Sequence, residues 1–278
     1  GDRAEPKKRR YLLRNFLIFL LVLIVVLGIV LVAAWRDGTG FDALRRYFAY
    51  GSSAVSSEKT VYQFDTDNSN RFAEMGDGCL IVLSDTALRM LGADGSEIWS
   101  ANVQMTAPAL VQGVVKIAAY DVGGTAVYVL DENGEQWELT AEGPIVSASL
   151  NNSGMLAVTS QVSGTKGRVD VYTADGSTLA EVNAHRRFVA DACVTEDGKS
   201  LAVVLMGQED GTFVSDVSFY DLTQPGEAEV TADYVVQDGL VTVMGCHGGS
   251  ILTVTDTCFA SGRANGKLTG TYSYDGEY

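Results

Sequence analysis

The sequence predicts an all-β domain that follows a single apolar helix at the N-terminus. Residues 16–34 read FLIFLLVLIVVLGIVLVAA and contain no charged side chain, whereas the chain after residue 60 contains almost no helical periodicity. There, short runs rich in Val, Ile, Leu and Tyr alternate with Gly, Asp and Asn, which is typical of strands joined by tight turns. One strand–turn–strand pattern recurs along this part, so the strands are predicted to form repeated modules.

Residues 1–15 form a basic tail. Residues 1–34 carry a net charge of +4, whereas the rest of the chain carries −19. A basic tail fits the anionic inner leaflet of a membrane, and Lys and Arg stay preferentially on the cytoplasmic side. The acidic remainder, in which Lys and Arg are scattered, repels phosphate backbones, so we expect no nucleic-acid partner.

Residues 16–35 are the predicted transmembrane helix. The nineteen uncharged residues from Phe16 to Ala34 would rise roughly 28 Å as a helix, close to the hydrocarbon thickness of a bilayer. The N-terminus is then cytoplasmic, and the chain after Trp35 is extracytoplasmic in a single-pass protein of the plasma membrane. A cleaved signal peptide is the alternative, because Val32-Ala33-Ala34 has the small residues that a peptidase accepts. Both interpretations export most of the chain.

Residues 36–59 are predicted to be a juxtamembrane amphipathic segment and a linker. Thr39-Gly-Phe-Asp42 has the form of a capping box, and Phe41, Leu44, Tyr47 and Phe48 follow at helical spacing. This helix would lie on the outer membrane surface or pack against the exported domain. Residues 51–60 (GSSAVSSEKT) form a polar spacer, so the exported domain is predicted to span residues 60–278.

The repeats of residues 60–278 are marked by hairpin turns. Turn glycines recur 39, 42, 50 and 50 residues apart, at positions 95, 134, 176, 226 and 276. A second series, at Asn152–Val158 and Asp197–Val203, places a turn before a Leu-Ala-Val strand. Two hairpins per unit mean four strands, which is the blade of a β-propeller. Stacking such blades radially covers both apolar faces of each sheet.

We expect four to five blades in this chain: four complete blades and the opening hairpin of a fifth. The sequence ends in a predicted turn at Asp275-Gly-Glu-Tyr278. Closed propellers usually have four to eight blades, and an open ring exposes strand edges and one apolar blade face. The expectation is therefore a domain that is incomplete at its C-terminus and belongs to a propeller of six to eight blades.

Several motifs resemble known propeller repeats. Asp94-Gly95 with Trp99 resembles the aspartate–glycine–tryptophan element of quinoprotein-like propellers, and Tyr220-Asp221 resembles the strand-ending dipeptide of WD repeats. The order of basic tail, single span and acidic repeats is similar to a family of membrane-anchored propellers from Gram-positive bacteria that has no assigned activity. The resemblance implies a structural role in docking neighbouring blades for Trp99, Trp137, Asp94, Gly95, Gly134 and Gly176.

The chain also departs from these families. In the third repeat Leu179-Ala-Glu stands where the tryptophan is expected. The vicinal cysteine pair and the ring-stacking tryptophan of quinone-dependent dehydrogenases have no counterpart. No quinone or other cofactor is therefore expected.

The four cysteines do not form a compact framework. Cys79 and Cys193 lie in strand-like runs and are expected to be buried small apolar residues. Cys246 and Cys258 flank the predicted strand Ser250–Thr255 and would face each other in a hairpin, so a disulfide between them is an alternative to two thiols. Paired C-x-x-C spacing is lacking, so we expect no zinc site.

No catalytic constellation can be assembled from the remaining motifs. The sequence lacks a G-x-S-x-G nucleophile elbow for its two histidines. Residues 65–70 begin like a calcium loop, but Asn70 stands where Gly is required and Gly76 where Glu is required, which favours a turn and no metal. His185, Arg186 and Arg187 form the one compact basic spot of the exported part and are the candidate partner-binding residues. A solvated surface is the alternative there.

The sequence therefore predicts a non-catalytic scaffold or recognition module, and not an enzyme, at the bacterial cell envelope. The anchor would confine the propeller to the membrane, where its loops would dock an envelope protein or a cell-wall component. One alternative is a propeller-type hydrolase or lyase with carboxylates in the central channel. A second alternative is an envelope sensor, although a cytoplasmic tail of about fifteen residues is too short for a signalling domain.

Overall fold

The computed structural model describes residues 15, 18–23, 25–26, 70–76, 78–236 and 239–274. The chain divides into two compact units, Gly1–Glu58 and Lys59–Tyr278. In the first unit the described residues are helical, and their apolar side chains are exposed. Among the described residues no helix has the length and hydropathy of a membrane span. The predicted linker at 36–59, residues 65–69 of the loop that resembles a calcium site, and the turn at 275–278 lie outside the described residues.

The described part of the second unit is all-β and contains five antiparallel sheets, called sheets 1 to 5 in chain order. Sheet 1 contains β1 (Arg71–Met75), β2 (Cys79–Leu83), β3 (Ala87–Leu91) and β4 (Glu97–Asn102). Sheet 2 contains β5 (Pro108–Gln112), β6 (Ile117–Asp121), β7 (Ala126–Asp131) and β8 (Gly134–Thr140). Sheet 3 contains β9 (Ile145–Leu150), β10 (Leu156–Ser160), β11 (Arg168–Tyr172) and β12 (Thr178–Asn183).

The last two sheets also contain four antiparallel strands each, and this part of the sequence contains one short additional strand. Sheet 4 contains β13 (Phe188–Val194), β14 (Ser200–Glu209), β15 (Thr212–Asp221) and β17 (Val230–Val236). Sheet 5 contains β18 (Val241–His247), β19 (Ser250–Thr255), β20 (Cys258–Arg263) and β21 (Lys267–Ser273). The two-residue strand β16 (Gly226–Glu227) precedes β17 but pairs in parallel with β12, so it joins the edge of sheet 3.

The five sheets are arranged like the blades of a propeller. Within each sheet the strands follow chain order, and the first strands of successive sheets lie beside one another (β1 with β5, β5 with β9, β9 with β13, and β13 with β18). Sheet 5 has four strands, which corrects the expectation of an opening hairpin alone. Its outer hairpin turns at Asn265-Gly266 because Arg263 pairs with Lys267, whose backbone N–H donates to the Asn265 side chain at 3.1 Å. The predicted turn at Gly276 is not the fifth repeat turn.

Four apolar clusters fill the four junctions between successive sheets. Each cluster contains residues from the facing sides of two neighbours, for example Leu88 and Ile117 between sheets 1 and 2, and Val129 and Leu156 between sheets 2 and 3. The same holds between sheets 3 and 4 and between sheets 4 and 5. Burial of both faces of the inner sheets is what makes the repeat stable, because a single sheet cannot cover its own faces.

The predicted Asp-Gly turns form hairpins for a local reason. The Asp94 carboxylate accepts a hydrogen bond from the backbone N–H of Ser96 at 3.0 Å, and Asp175 does the same with Ser177 at 3.2 Å. The glycine between them has φ of +80° or +86°, a conformation that side chains other than glycine rarely adopt. Side-chain hydrogen bonds to Ser96 and Thr173 lower the pKa of Asp94 and Asp175, respectively.

The outermost strand of every sheet contains a β-bulge at the same place. One extra residue interrupts the pairing near the start of each strand, at Ile98, Gln136, Leu179, Thr231 and Thr269. We call the next residue the post-bulge residue, and the five are Trp99, Trp137, Ala180, Ala232 and Gly270. In the third repeat Leu179 is the bulge residue itself, so the position equivalent to the two tryptophans is Ala180, the residue after it.

Candidate partner-binding surface and sheet junctions

The tryptophans lie at the junctions between sheets. A Cβ atom built at Gly134 would lie 3.0 Å from the ring of Trp99, and one built at Gly176 would lie 2.9 Å from the ring of Trp137. Trp137 also donates a hydrogen bond from Nε1 to the carbonyl oxygen of Ala174 at 3.2 Å. Each tryptophan thus contacts the hairpin glycine of the following sheet, whose backbone approaches too closely for any side chain.

At the next two junctions an alanine, and not a tryptophan, contacts the hairpin glycine of the following sheet. Ala180 of sheet 3 pairs with Gly226, through the parallel contact of β12 with β16. Ala232 of sheet 4 lies 3.0 Å from a Cβ atom built at Gly266. At all four junctions the post-bulge residue of one sheet therefore contacts the hairpin glycine of the next, and the size of that residue varies from Trp to Ala.

A disulfide bond joins the innermost strands of sheets 4 and 5. Cys193 in β13 and Cys246 in β18 are bonded at an S–S distance of 2.02 Å, with their Cα atoms 6.3 Å apart. The expectation that Cys193 is only a small apolar residue was therefore wrong, as was the alternative of a Cys246–Cys258 pair. Cys258 is a buried thiol at the start of β20, where the Thr255 hydroxyl is 3.4 Å from its sulfur. Neighbouring inner strands bring the bonded pair together.

The basic spot of sequence analysis lies in the connection from β12 to β13, at one end of the sheets. His185 and Arg186 are exposed. The guanidinium of Arg187 is half-buried and forms ion pairs with the carboxylates of Asp216 and Glu209 on the neighbouring hairpin. The structure therefore separates Arg187, whose charge is neutralised within sheet 4, from the two residues that face solvent.

Two aromatic side chains and a lysine extend this spot. Phe188 is exposed, and the Lys166 ammonium lies 4.3 Å from the centroid of its ring, within the range of a cation–π interaction. Phe213 is exposed at the tip of the β14–β15 hairpin, whose ten-residue strands extend past the other strands at the same end of the sheet. We call Lys166, His185, Arg186, Phe188 and Phe213 the basic–aromatic surface.

The other three members of this surface, Lys166, Phe188 and Phe213, were not predicted from the sequence, because their positions depend on strand pairing. Lys166 is nineteen residues before His185 and approaches it only because the backbone N–H of Lys166 donates to the carbonyl oxygen of Ala184 at 2.7 Å. Phe213 looked like an ordinary strand residue. The signal present in the sequence is the Asp210-Gly211 turn dipeptide, and the structure pairs the strands on either side of it without a break from Ser200 to Asp221.

A partly buried ion-pair cluster lies beside the surface, at the edge of sheet 3. Arg168 contacts Asp170 at 2.7 Å, Glu181 at 2.9 Å and Glu142 at 2.9 Å. Burial raises the pKa of Asp170, an effect that the hydrogen bond and the charge of Arg168 oppose. Three carboxylates around one guanidinium leave this edge negatively charged, so the cations of the basic–aromatic surface lie next to an acidic rim.

The inner strands, which would line a central channel, contain few ionisable groups. In the described strands β1, β5, β9, β13 and β18, the acidic residues are Glu74 in sheet 1 and Asp191 in sheet 4. Asp191 accepts a hydrogen bond from the backbone N–H of Ala192 at 2.9 Å, and burial raises the pKa of its carboxyl. The remaining inner-strand positions are mainly Val, Ala, Leu and Ser.

Sheet order, the repeated bulge and the hairpin contacts define a propeller-like, all-β repeat protein. The sequence profile of the family of unknown function DUF5711 matches residues 48–242, so the chain belongs to that family. Among curated proteins, no sequence matches the chain.

Solved structures with similar folds include three propeller-containing proteins. The chain is 14% identical to Hsv2p of Kluyveromyces lactis, with a TM-score of 0.48 over 72% of this chain and 68% of that one. It is 15% identical to BBS1N, solved in complex with ARL6DN, with a TM-score of 0.46 over 74% and 66% of the two chains. It is 14% identical to BamB of Moraxella catarrhalis, with a TM-score of 0.44 over 74% and 64%. The propeller-like arrangement is shown by the strand pairing and sheet order of this chain.

Proposed function

We propose that this chain is a membrane-anchored recognition module that holds a propeller-like domain at the outer face of the plasma membrane. The observation that carries the proposal is the basic–aromatic surface, in which the exposed Arg186, the half-buried Lys166 and two exposed rings stand out on a domain with a net charge of −19. A surface with cations beside aromatic rings can bind a partner that carries both anionic and aromatic groups. The rings supply apolar contact area, and the cations orient the anionic groups of the partner. The partner is an acidic envelope protein or an anionic cell-wall polymer.

The anchor in this proposal is residues 16–35. Its support is the length of the uncharged run and the basic residues before it, together with the helical conformation of the described residues 18–23 and 25–26. The disulfide between Cys193 and Cys246 supports the extracytoplasmic location of the second unit, because disulfides persist in oxidising compartments and are rare in the cytosol.

The proposed role is non-catalytic. Hydrolysis or lyase chemistry in a central channel requires at least two carboxylates, or a carboxylate and a metal, close together on the inner strands. The described inner strands have Glu74 and Asp191 on sheets 1 and 4, with two sheets between them. This distribution supports recognition rather than reaction.

Charge reversal on the surface tests the proposal. In cells that produce the full chain, Lys166→Glu combined with Arg186→Glu should reduce the envelope proteins captured with it, and its sedimentation with purified cell walls, by at least about tenfold. Lys199→Glu is the matched control, because Lys199 is an exposed lysine in the β13–β14 turn at the opposite end of sheet 4. Unchanged capture and sedimentation by the double variant would refute the proposed surface.

Topology is tested separately from binding. A cysteine introduced by Lys199→Cys should react with a membrane-impermeant maleimide in intact cells, since Lys199 is exposed on the second unit at the end of sheet 4 away from the basic–aromatic surface. The wild-type chain gives the background from Cys79, which is half-buried. If the cysteine were labelled only after cell lysis, the second unit would lie in the cytosol. The proposed location at the outer face of the membrane would then be refuted.

A further inference from the structure

The two faces of sheet 5 differ in how they are covered. One face packs on sheet 4 and contains Ile251, Cys258 and Ala260, all fully buried. The opposite face carries a row of apolar side chains that crosses all four strands, since Val243 pairs with Val254, Val254 with Phe259 and Phe259 with Tyr272. At the two ends of the row, Val243 is 59% exposed and Tyr272 is 65% exposed.

Sheet 4 shows what happens to the same face when another sheet covers it. Tyr234 is two residues after the post-bulge residue of sheet 4, as Tyr272 is in sheet 5, and it pairs with Val217 on the neighbouring strand. Tyr234 is 7% exposed, because its ring packs on Gly262 of sheet 5. The same residue type at the same position is thus covered in sheet 4 and uncovered in sheet 5.

The post-bulge residue of sheet 5 also lacks the contact that its equivalents make. Trp99, Trp137, Ala180 and Ala232 each contact the hairpin glycine of the following sheet. A Cβ atom built at Gly270 would meet nothing within 4 Å, and the same is true at Gly245 in the innermost strand of this face. Room for a neighbouring backbone therefore extends from the inner to the outer strand.

We propose that this face of sheet 5 binds a further four-stranded antiparallel sheet of the same build. The partner sheet would place an apolar face over Val243, Val254, Phe259 and Tyr272, and the glycine of its outer hairpin, at positive φ, against Gly270. The four junctions already present are the pattern for this contact, and the exposed face continues that series of interfaces. Exposed apolar rows of this kind mark interaction sites in soluble domains.

The partner sheet does not come from a second copy of this chain. Sheets 2 to 5 already use the corresponding face against the sheet before them. In sheet 1 the face turned away from sheet 2 contains Val82 and Leu91, which are 3% and 4% exposed, together with Phe72 and Leu80, which are 49% and 38% exposed. The charged side chain of Arg89, which pairs with Val82, interrupts the apolar side chains of this face. A second copy therefore offers no uninterrupted apolar face that could follow sheet 5 in the series.

Thiol accessibility tests the proposal in cells that produce the protein from its own gene. Cysteines introduced by Tyr272→Cys and Val243→Cys should react with maleimide at least about tenfold more slowly than one introduced by Lys199→Cys, because the partner sheet covers the first two and Lys199 is exposed outside both this face and the basic–aromatic surface. In the purified chain of residues 1–278 all three should react at similar rates. Intact Cys193–Cys246 disulfide, verified by mass spectrometry, shows that each variant is folded.

Two outcomes would overturn the proposal. One is equal labelling at positions 272, 243 and 199 in cells. The other is protection of position 272 that appears in the purified chain and grows with its concentration, since a second copy would then be the occupant. A thiol-to-amine crosslinker on position 272 in cells should attach peptides rich in Val, Ile and Leu with an Asp-Gly or Asn-Gly turn; attachment to residues 70–274 of this chain would also contradict the proposal.

Discussion

The indole ring of Trp137 lies against the backbone of Gly176, and its Nε1 donates a hydrogen bond to the carbonyl oxygen of Ala174 two residues before that glycine. One side chain of sheet 2 thus contacts the turn of sheet 3 by shape and by a directed bond. Two features favour glycine at position 176. Its φ is +86°, and a Cβ atom there would lie 2.9 Å from the ring of Trp137.

A matched pair of glycine substitutions separates these two reasons. Gly176→Ala should lower the free energy of unfolding by about 2–4 kcal/mol, because it adds both a disfavoured φ and a clash with Trp137. Gly164→Ala should lower it by only about 1 kcal/mol, since Gly164 has φ of +89° but nothing within 4 Å of its Cβ position. Urea denaturation gives both values, and equal losses would show that the tryptophan contact contributes nothing.

Reduction of the disulfide should destabilise the second unit. The two cysteines are 53 residues apart in the sequence, and for a loop of that size chain entropy predicts about 4 kcal/mol. The urea midpoint of the wild-type chain should therefore fall in dithiothreitol, while that of the Cys193→Ala, Cys246→Ala double variant should be low in both conditions. Cys258→Ala is the control, and its midpoint should still fall on reduction. A wild-type midpoint that dithiothreitol leaves unchanged would contradict the assignment.

Arg187 and Arg186 should differ in their effect on stability, although they are neighbours. Arg187→Ala removes the cation between Asp216 and Glu209, and leaves the half-buried Asp216 without its ion-pair partner, so we expect a loss of about 1–2 kcal/mol. Arg186→Ala should change stability by less than about 0.5 kcal/mol. Thermal unfolding followed by circular dichroism distinguishes the two. Similar small losses of stability for both variants would show that the Arg187 ion pairs contribute little to the free energy of unfolding.

The raised pKa of Asp191 should make stability fall as the pH rises. Burial favours the protonated carboxyl in the folded protein, so the folded state holds a proton that the unfolded chain releases at about pH 4. Asp191 therefore destabilises the fold progressively from about pH 4 up to its folded pKa. Asp191→Asn should remove this slope, measured as the free energy of unfolding against pH.

Asp175 is the control for that measurement, because its sign is opposite. Hydrogen bonds from Thr173 and Ser177 lower its pKa, so it contributes stability above its unfolded pKa that is lost as the pH falls. Asp175→Asn should therefore reduce the loss of stability on acidification and leave the slope attributed to Asp191 in place. An identical pH profile for wild type and Asp191→Asn would refute the role of Asp191.

Local features were predictable from the sequence because their causes lie within a few residues. The hairpins at Asp94-Gly95 and at Asp175-Gly176 follow from a side chain that accepts its own turn's N–H and a glycine that tolerates positive φ. The fifth hairpin was misplaced, at Gly276 instead of Gly266. The sequence Asn265-Gly266 carries the same local signal, but the spacing of the earlier turns favoured the later position.

Contacts between modules were not predictable in the same way. Cys193 and Cys246 are 53 residues apart, and only the placement of β13 beside β18 brings their sulfur atoms together. The bulge in β12 makes Ala180, and not Leu179, the equivalent of Trp137, and a bulge depends on pairing with a partner strand. Lys166 and Phe188 meet for the same reason, across the edge of two sheets.

The sequence by itself determined the repeat of strands and Asp-Gly turns, the acidic character of residues 35–278 and the apolar run before them, because periodicity, turn chemistry and charge are properties of short stretches of chain. The tertiary structure alone decided which faces are covered, which cysteines are bonded and which of three adjacent basic residues faces solvent. Those outcomes depend on how successive sheets pack, and packing brings together residues whose separation along the chain carries no information about their distance in space.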